Sequence, residues 1–263
     1  MSLLVKGQRD GRDIVRVTPQ SAGWSYVGFA AHRLAQAEAI SVALPGAEAC
    51  LVVLSGKVTI EAGGKSWRDI GDRGSVFDDR APYAVYLPPG ETARIVARTA
   101  AEIGVGSAPA AAGPPARLIE PGSMKRFKRG EGSNTRYVCD ILPQTEPASH
   151  LLLVEVVTPA GHSSSYPPHK HDTDNLPTES SLEETYHRLK PSQGFAFQRV
   201  YTDDRSIDEA LAVEDHDVVL VPRGYHPVVV PHGYDSYYLN VMAGPKREWH
   251  FKNDPAHEWM LKR

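Results

Sequence analysis

The stretch Tyr166-Pro-Pro-His-Lys-His-Asp172 carries two histidines, His169 and His171, that are separated by one residue. Because side chains at positions i and i+2 leave the same face of an extended strand, both imidazoles can bind one ion. His226 can add a further imidazole, and the pair Glu183-Glu184 can add a carboxylate. Imidazole with carboxylate and open positions suits Fe, Mn, Zn, Co or Ni. The stretch therefore predicts a site for one divalent metal ion in a small β-barrel.

The composition is that of a globular protein without a nucleic-acid or membrane function. Of the 263 residues, 41% are hydrophobic and 23% are charged, and the formal net charge of -3 offers no basic surface to nucleic acid. No apolar run approaches the roughly 18 residues of a membrane span, and the N-terminus lacks the hydrophobic region of a signal peptide. With only Cys50 and Cys139, a disulfide framework is not expected. We therefore expect a cytoplasmic protein.

Short runs rich in Val, Ile and Tyr alternate with turns throughout the chain, which contains 22 Gly and 21 Pro. This pattern is typical of an all-β barrel or sandwich. Short helices are expected only at a few places, among them Ala30 to Ala39 and Asp254 to Leu261. The low-complexity segment Ser107 to Pro115 is the best candidate for a domain boundary. We predict an N-terminal domain at 1–108, a connector at 109–116 and a C-terminal domain at 117–263.

The two halves resemble weak internal repeats. Glu48-Ala-Cys-Leu-Val-Val-Leu54 can be aligned with Glu183-Glu-Thr-Tyr-His-Arg-Leu189, and Ala49 then takes the place of Glu184. In the same alignment Thr92 takes the place of His226. The alignment predicts a duplication in which the first half keeps the fold and lacks the metal; the alternative is a chance similarity of two β-domains.

The second half resembles the cupins, whose signature combines glycines with His-x-His, a glutamate and a later histidine. The matching positions here are Gly161, His169, His171, Glu184, Gly194, Pro222, Gly224, His226 and Asn240. Two features depart from the usual pattern: the long gap from His171 to Glu184, and the single residue between Gly224 and His226. Five linked motifs between about residues 160 and 250 give a closer resemblance, to the 5-deoxy-glucuronate isomerases of myo-inositol catabolism. Those proteins are related to the 5-keto-4-deoxyuronate isomerases of pectin breakdown.

This resemblance implies an all-β bicupin with two tandem cupin-type jelly-roll barrels, the second of which binds the metal. It implies that His169, His171, Glu184 and His226 are the ligands, with Glu184 preferred over Glu183 because the following Thr-Tyr fits the family's strand. The implied reaction is the aldose–ketose conversion of 5-deoxy-D-glucuronate into 5-dehydro-2-deoxy-D-gluconate. An enediol or a metal-assisted hydride shift could carry it, and the sequence does not separate the two.

Such a reaction needs a proton shuttle and a partner for the carboxylate of the substrate. The candidates for the shuttle are Tyr186, Lys170 and Tyr238. Arg188 and Arg199 are the candidates for the carboxylate, since a guanidinium offers two parallel donors. Counting alternate residues from Glu184 predicts that Tyr186 and Arg188 face the barrel interior, that Glu183 lies outside, and that His187 points away from the metal.

Three other functions share these residues. A cupin dioxygenase would use the same ligands, the pectin-pathway isomerase would differ only in its substrate, and a non-catalytic sugar-binding cupin would lack turnover. The expected partners are a small sugar acid and further copies of the chain in a homo-oligomer, with neither nucleic acid nor membrane. The polar insert Asp172 to Ser181 is interpreted as a lid or an interface loop.

Overall fold

The computed structural model describes residues 2–183 and 187–262, and strands dominate this part of the chain. The strands up to residue 119 are β1 (Leu4–Val5), β2 (Asp13–Val17), β3 (Gly28–Leu34), β4 (Ala39–Ala43), β5 (Ala47–Ser55), β6 (Val58–Ala62), β7 (Lys65–Ile70), β8 (Ala84–Leu87), β9 (Thr92–Ala97), β10 (Ala101–Pro109) and β11 (Arg117–Ile119). The later strands are β12 (Lys125–Arg129), β13 (Arg136–Leu142), β14 (Leu152–Thr158), β15 (Ser163–Ser164), β16 (His169–Lys170), β17 (His187–Lys190), β18 (Phe195–Tyr201), β19 (Asp208–Glu214), β20 (Val218–Val219), β21 (Val228–Val229), β22 (Asp235–Met242) and β23 (Lys252–Asn253).

The helices are short. They are the α-helix α1 (Pro19–Ala22) and 3-10 turns at Pro121–Ser123, Gly132–Asn134 and Pro255–Lys262. None of the helices in residues 2–183 and 187–262 is long and apolar enough to cross a membrane.

Each half of the chain builds two facing sheets. The first half forms a six-stranded sheet in the order β11-β8-β5-β10-β3-β2 and a four-stranded sheet in the order β4-β9-β6-β7. The second half forms a five-stranded sheet, β12-β13-β14-β22-β17, and a four-stranded sheet, β15-β21-β18-β19, beside the two-stranded pair β16-β23. Between the two sheets of the first half lies a core of buried aliphatic side chains that includes Leu51, Val53 and Ile95.

The six-stranded and five-stranded sheets pack against each other through a second core. Alternate residues of β5, including Cys50 and Val52, and alternate residues of β22, including Leu239 and Val241, belong to it. The sheets approach so closely that a Cβ built on Gly106 would lie 2.8 Å from Cγ1 of Val241. Because side chains alternate along a strand, the remaining residues of β22 point into the second barrel.

Two glutamates, buried Glu48 and half-buried Glu183, link the halves reciprocally. Glu48 of the first half accepts hydrogen bonds from the backbone amides of Ser149, His150 and Leu151, directly before β14. Glu183 of the second half accepts hydrogen bonds from the backbone amides of residues 25, 26 and 27, directly before β3. These two glutamates align with each other in the repeat that the sequence predicts, so the reciprocal contacts support that duplication.

Further contacts cross between the halves. Buried Arg73 pairs with both carboxylate oxygens of Glu155 at 3.1 Å, β1 pairs with β20, and β11, which follows the predicted connector, pairs with β8. β10 extends to Pro109, the first residue of the predicted connector. The division at 109–116 remains a prediction.

One predicted helix is wrong. Residues Ala30 to Ala39 form most of β3, a turn and the first residue of β4. β3 lies between β10 and β2 in the six-stranded sheet, where pairing and burial outweigh the helical preference of its alanines. The C-terminal helix predicted at Asp254 to Leu261 is a 3-10 turn over Pro255–Lys262.

Candidate metal centre

The three predicted histidine ligands lie together. His169, His171 and His226 each offer a ring nitrogen, and these nitrogens all lie within 4.8 Å of one another. The ring centroid of His226 is 4.9 Å from that of His169 and 4.9 Å from that of His171. All three side chains are buried, with exposures of 8%, 1% and 2%. Pairing of β16 with β23 fixes the backbone of His169 opposite Asn253.

Hydrogen bonds set the tautomers of two of these rings. Nδ1 of His171 lies 3.1 Å from the carbonyl oxygen of Leu182, and Nδ1 of His226 lies 3.0 Å from that of Gly224. Because a carbonyl oxygen only accepts, each Nδ1 carries the proton and each neutral ring keeps its lone pair on Nε2. Burial, followed by the fields of the other two histidines, lowers the pKa of His169 well below its usual value. Three neutral imidazoles are a donor set that fits a divalent ion.

Glu183 points away from the interior of the second barrel, as the sequence predicts. Its Oε2 accepts the amides of Tyr26 and Val27 at 2.9 and 2.8 Å, so it lies outside the second barrel. Glu184 and Tyr186 lie outside the described residues. Their assignments as fourth ligand and as proton shuttle stay predictions from the sequence.

A small cavity, with room for about one water molecule, adjoins His226 inside the second barrel. Its polar lining includes His187, Gln198, Tyr238 and Asn240, and valines complete the wall. Nε2 of His187 lies 2.7 Å from Oε1 of Gln198, and its ring centroid lies 5.7 Å from that of Tyr238. Since an amide oxygen only accepts, His187 carries its proton on Nε2, and Nδ1 is the basic nitrogen of the neutral ring.

The sequence predicted that His187 points away from the metal site and that Arg188 faces the barrel interior. Both predictions are wrong, because His187 lines the cavity and Arg188 pairs with Glu102 of the first half. Glu183 and His187 are four residues apart and would share one face of an unbroken strand. Glu183 instead points to the first half, whereas His187 points into the second barrel. Counting alternate residues from the glutamate pair therefore does not predict the direction of His187.

Both arginines proposed for the substrate carboxylate are held by carboxylates of the protein. Arg188 donates to Glu102 at 2.6 Å and to Asp215 at 2.9 Å. Arg199 donates through Nε and Nη2 to both oxygens of Asp208 at 2.8 Å, and its side chain is 47% exposed. Arg199 alternates with Gln198, which lines the cavity, so Arg199 is on the outer face of β18. These contacts do not favour either residue as the substrate's partner.

The remaining two shuttle candidates differ in position. Tyr238 is buried and lines the cavity with His226. Lys170 lies between His169 and His171 in sequence, and its ammonium group is held by Asp172 at 3.1 Å and Asp203 at 2.7 Å. The geometry therefore favours Tyr238 over Lys170.

Sequence reasoning missed His187 and Gln198 as cavity residues. The alternation of Ala196, Gln198 and Val200 in a strand could have placed Gln198 inside the barrel. No comparable local signal was available for His187, because long-range contacts with Gln198 and Tyr238 position it.

A model of the KduI/IolB family matches residues 3–260 of the chain. The chain belongs to the KduI/IolB family. A curated relative from Geobacillus kaustophilus, named 5-deoxy-glucuronate isomerase, is 53% identical over 250 residues, which are 95% of this chain and 91% of the relative.

Solved structures agree with this assignment to the family. The crystal structure of an IolB-like protein from Salmonella typhimurium is 46% identical and superimposes with a TM-score of 0.97, covering 99% of this chain and 100% of the other. An oxalate decarboxylase from Lactobacillus farciminis is only 11% identical, with a TM-score of 0.68 over 100% of this chain and 91% of the other, and shows the fold alone. The predicted all-β bicupin fold class is confirmed.

Proposed function

We propose that the chain is an aldose–ketose isomerase that converts 5-deoxy-D-glucuronate into 5-dehydro-2-deoxy-D-gluconate. One observation carries the proposal: the chain is about half identical, nearly from end to end, to curated 5-deoxy-glucuronate isomerases. The buried histidine trio supplies a site at which this chemistry could occur. The proposal includes a cytoplasmic location and a homo-oligomer, as expected from the sequence.

His169, His171 and His226 would hold one divalent ion, with Glu184 as the fourth predicted ligand. When bound, such an ion supplies Lewis-acid polarisation of the carbonyl group, whose oxygen gains negative charge in an enediol. The carbonyl oxygens of Leu182 and Gly224 keep two of the rings in the tautomer that directs Nε2 to the ion. Zn, Mn, Fe, Co and Ni all suit this donor set.

The isomerisation also moves a proton between adjacent carbons. Tyr238 and His187 are the described residues beside His226 that are suited to hold that proton, Tyr238 at its hydroxyl oxygen and His187 at Nδ1. Gln198 orients His187 by accepting from its Nε2, and valines form the apolar part of the cavity wall. A metal-assisted hydride shift would not need this transfer.

Turnover of 5-deoxy-D-glucuronate followed by NMR tests the proposal. The purified protein is assayed before and after chelation, and again after addition of Mn²⁺, Zn²⁺, Fe²⁺ or Co²⁺. We expect the aldehyde or hydrate signal to be replaced by a ketone signal, and we expect chelation to abolish the change. Absence of turnover with every metal would reject the substrate assignment.

Solvent deuterium separates the two mechanisms in the same experiment. Incorporation of deuterium at the product's new hydroxymethyl carbon identifies an enediol, whereas a hydride shift keeps the substrate's own hydrogen at that carbon. Parallel assays with 4-deoxy-uronates and of O₂ uptake distinguish the related isomerase and dioxygenase activities.

A further inference from the structure

Two arginines face each other on the hairpin that forms one edge of the second barrel's five-stranded sheet. Arg129 of β12 is the direct register partner of Arg136 of β13. Directly opposed side chains in an antiparallel pair leave the same face, and like charges in this position are destabilising. An anion between the two guanidinium groups would relieve this repulsion.

Arg136 is buried, with an exposure of 7%. Its Nη1 donates to the backbone and side-chain oxygens of Asn134, both at 2.9 Å. Within residues 2–183 and 187–262, no carboxylate forms a salt bridge with Arg136 or with Arg129. Burial, with the charge of Arg129, lowers the pKa of Arg136 despite the opposing effect of Tyr238. A buried arginine is normally paired, so this one is suited to a carboxylate from outside the chain.

The strand register puts this pair on the interior face of the barrel. Val138, two residues after Arg136, faces Val156, which faces Tyr238, and Tyr238 in turn faces His187. Tyr238 and His187 both line the cavity at His226. Because residues two apart in a strand share a face, Arg136 lies on the same interior surface as Val138, next to it along β13.

Arg129 is connected to the histidines by an aromatic contact. Its guanidinium carbon lies 5.0 Å from the ring centroid of Phe251, and this ring lies 4.6 Å from that of His169. The two arginines thus lie near the metal centre without being ligands.

We propose that Arg136, with Arg129, binds the carboxylate of the sugar-acid substrate while the other end of the open chain reaches the metal centre. This inference rests on the proposed function and identifies the group that selects an acid over a neutral sugar. A guanidinium offers two parallel donors to a carboxylate, and the bonds are charge-assisted. Among the described residues, Arg136 and Arg129 have no carboxylate partner, whereas Arg188 and Arg199 each have one.

Kinetics of Arg136→Met with 5-deoxy-D-glucuronate test the assignment. Loss of charge-assisted hydrogen bonds to the substrate predicts that KM rises about 10- to 100-fold, and that kcat stays within about threefold, since the contact is made in both ground and transition states. Arg136→Lys should reverse part of the increase in KM, because lysine restores the positive charge but not the two parallel donors of the guanidinium. Arg129→Met should raise KM in the same direction, which provides a second variant if Arg136→Met does not fold.

Lys128→Met is the matched control. Lys128 is exposed, adjacent to Arg129 and on the opposite face of β12, so its removal changes the net charge equally and should leave KM unchanged. Metal content and melting temperature, measured for every variant, show whether the site and fold are intact. An unchanged KM in correctly folded, metal-loaded Arg136→Met and Arg129→Met would overturn the assignment.

A binding experiment separates this inference from the proposed reaction. Calorimetry compares D-glucuronate with its uncharged amide on the wild-type protein and on Arg136→Met. We expect the wild type to prefer the acid about 10-fold or more, and the variant to lose this preference, whether or not 5-deoxy-D-glucuronate is turned over. Equal binding of acid and amide by the wild type would reject the carboxylate subsite even if the isomerase activity is found.

Discussion

Replacing Glu48 by glutamine tests how the two halves are held together. Oε1 of Glu48 accepts from the amides of His150 and Leu151 at 2.5 and 2.8 Å, and Oε2 accepts from the amide of Ser149 at 2.8 Å. The hydroxyl of Tyr86 also donates to Oε2, at 2.7 Å, and burial raises the pKa of this tyrosine, which keeps the proton in place. Glutamine keeps one oxygen, but its amide nitrogen would oppose the N–H of Ser149.

The loss is one charge-assisted hydrogen bond, and a buried donor is left unsatisfied. We expect the free energy of unfolding to fall by about 3 kcal/mol, and the melting temperature to fall by about 6 to 12 °C in differential scanning calorimetry. Glu183→Gln is the matched control. Its Oε2 alone accepts two of the three amides, and the bond from Ser25 is exposed, so about 1 kcal/mol is expected. A Glu48→Gln protein that melts within about 1 °C of the wild type, or above Glu183→Gln, would refute this reasoning.

Three further predictions concern metal binding, the dependence of stability on pH, and the ion pair between Arg73 and Glu155 that links the two halves. His171→Ala should lose the bound ion, measured by elemental analysis, while the melting transition of the first half stays nearly unchanged; full metal occupancy would exclude His171 as a ligand. Burial lowers the pKa of His216 to about 4, below its value of about 6.5 in the unfolded chain. Protonation therefore favours unfolding as the pH falls from 6.5 to 4, and about 2 kcal/mol should be lost by pH 5. His216→Gln should show a smaller fall in melting temperature between pH 7.5 and 5, and identical falls would exclude this role. Arg73→Met removes the cation that neutralises buried Glu155, to which the hydroxyl of Tyr237 still donates, and should cost about 3 to 5 kcal/mol in urea denaturation. Adding Glu155→Gln should recover part of that loss, and additive losses would contradict the pairing.

The sequence predicts the histidine cluster because its evidence is local. His169 and His171 are two residues apart, and His226 occurs in a second short motif, Val221-Pro-Arg-Gly-Tyr-His226. The strand pattern is equally local, so the all-β class follows from it. The helix predicted at Ala30 to Ala39 is wrong because the helical preference of single residues contains no information about β3 being paired on both sides in the sheet.

The side-chain directions in the second barrel show where local reasoning ends. Alternation placed Arg188 inside and His187 outside, yet Arg188 pairs with Glu102 of the other half and His187 lines the cavity. Both directions follow from long-range contacts, such as the ion pair of Arg188 with Glu102 and the hydrogen bond of His187 to Gln198. No count along the chain contains that information.

The sequence by itself thus determined the fold class, the family and the cluster of imidazoles that could hold a metal ion, because short repeated patterns and ligand spacing are local properties of the chain. Only the tertiary structure decided which arginines are available to an anion. Arg188 and Arg199 are paired with acidic residues 86, 27 and 9 positions away, whereas the opposed Arg129 and Arg136 have no such partner among the described residues. The physical reason is that a guanidinium is neutralised by whichever carboxylate the fold brings near it, and separation in sequence does not limit that distance.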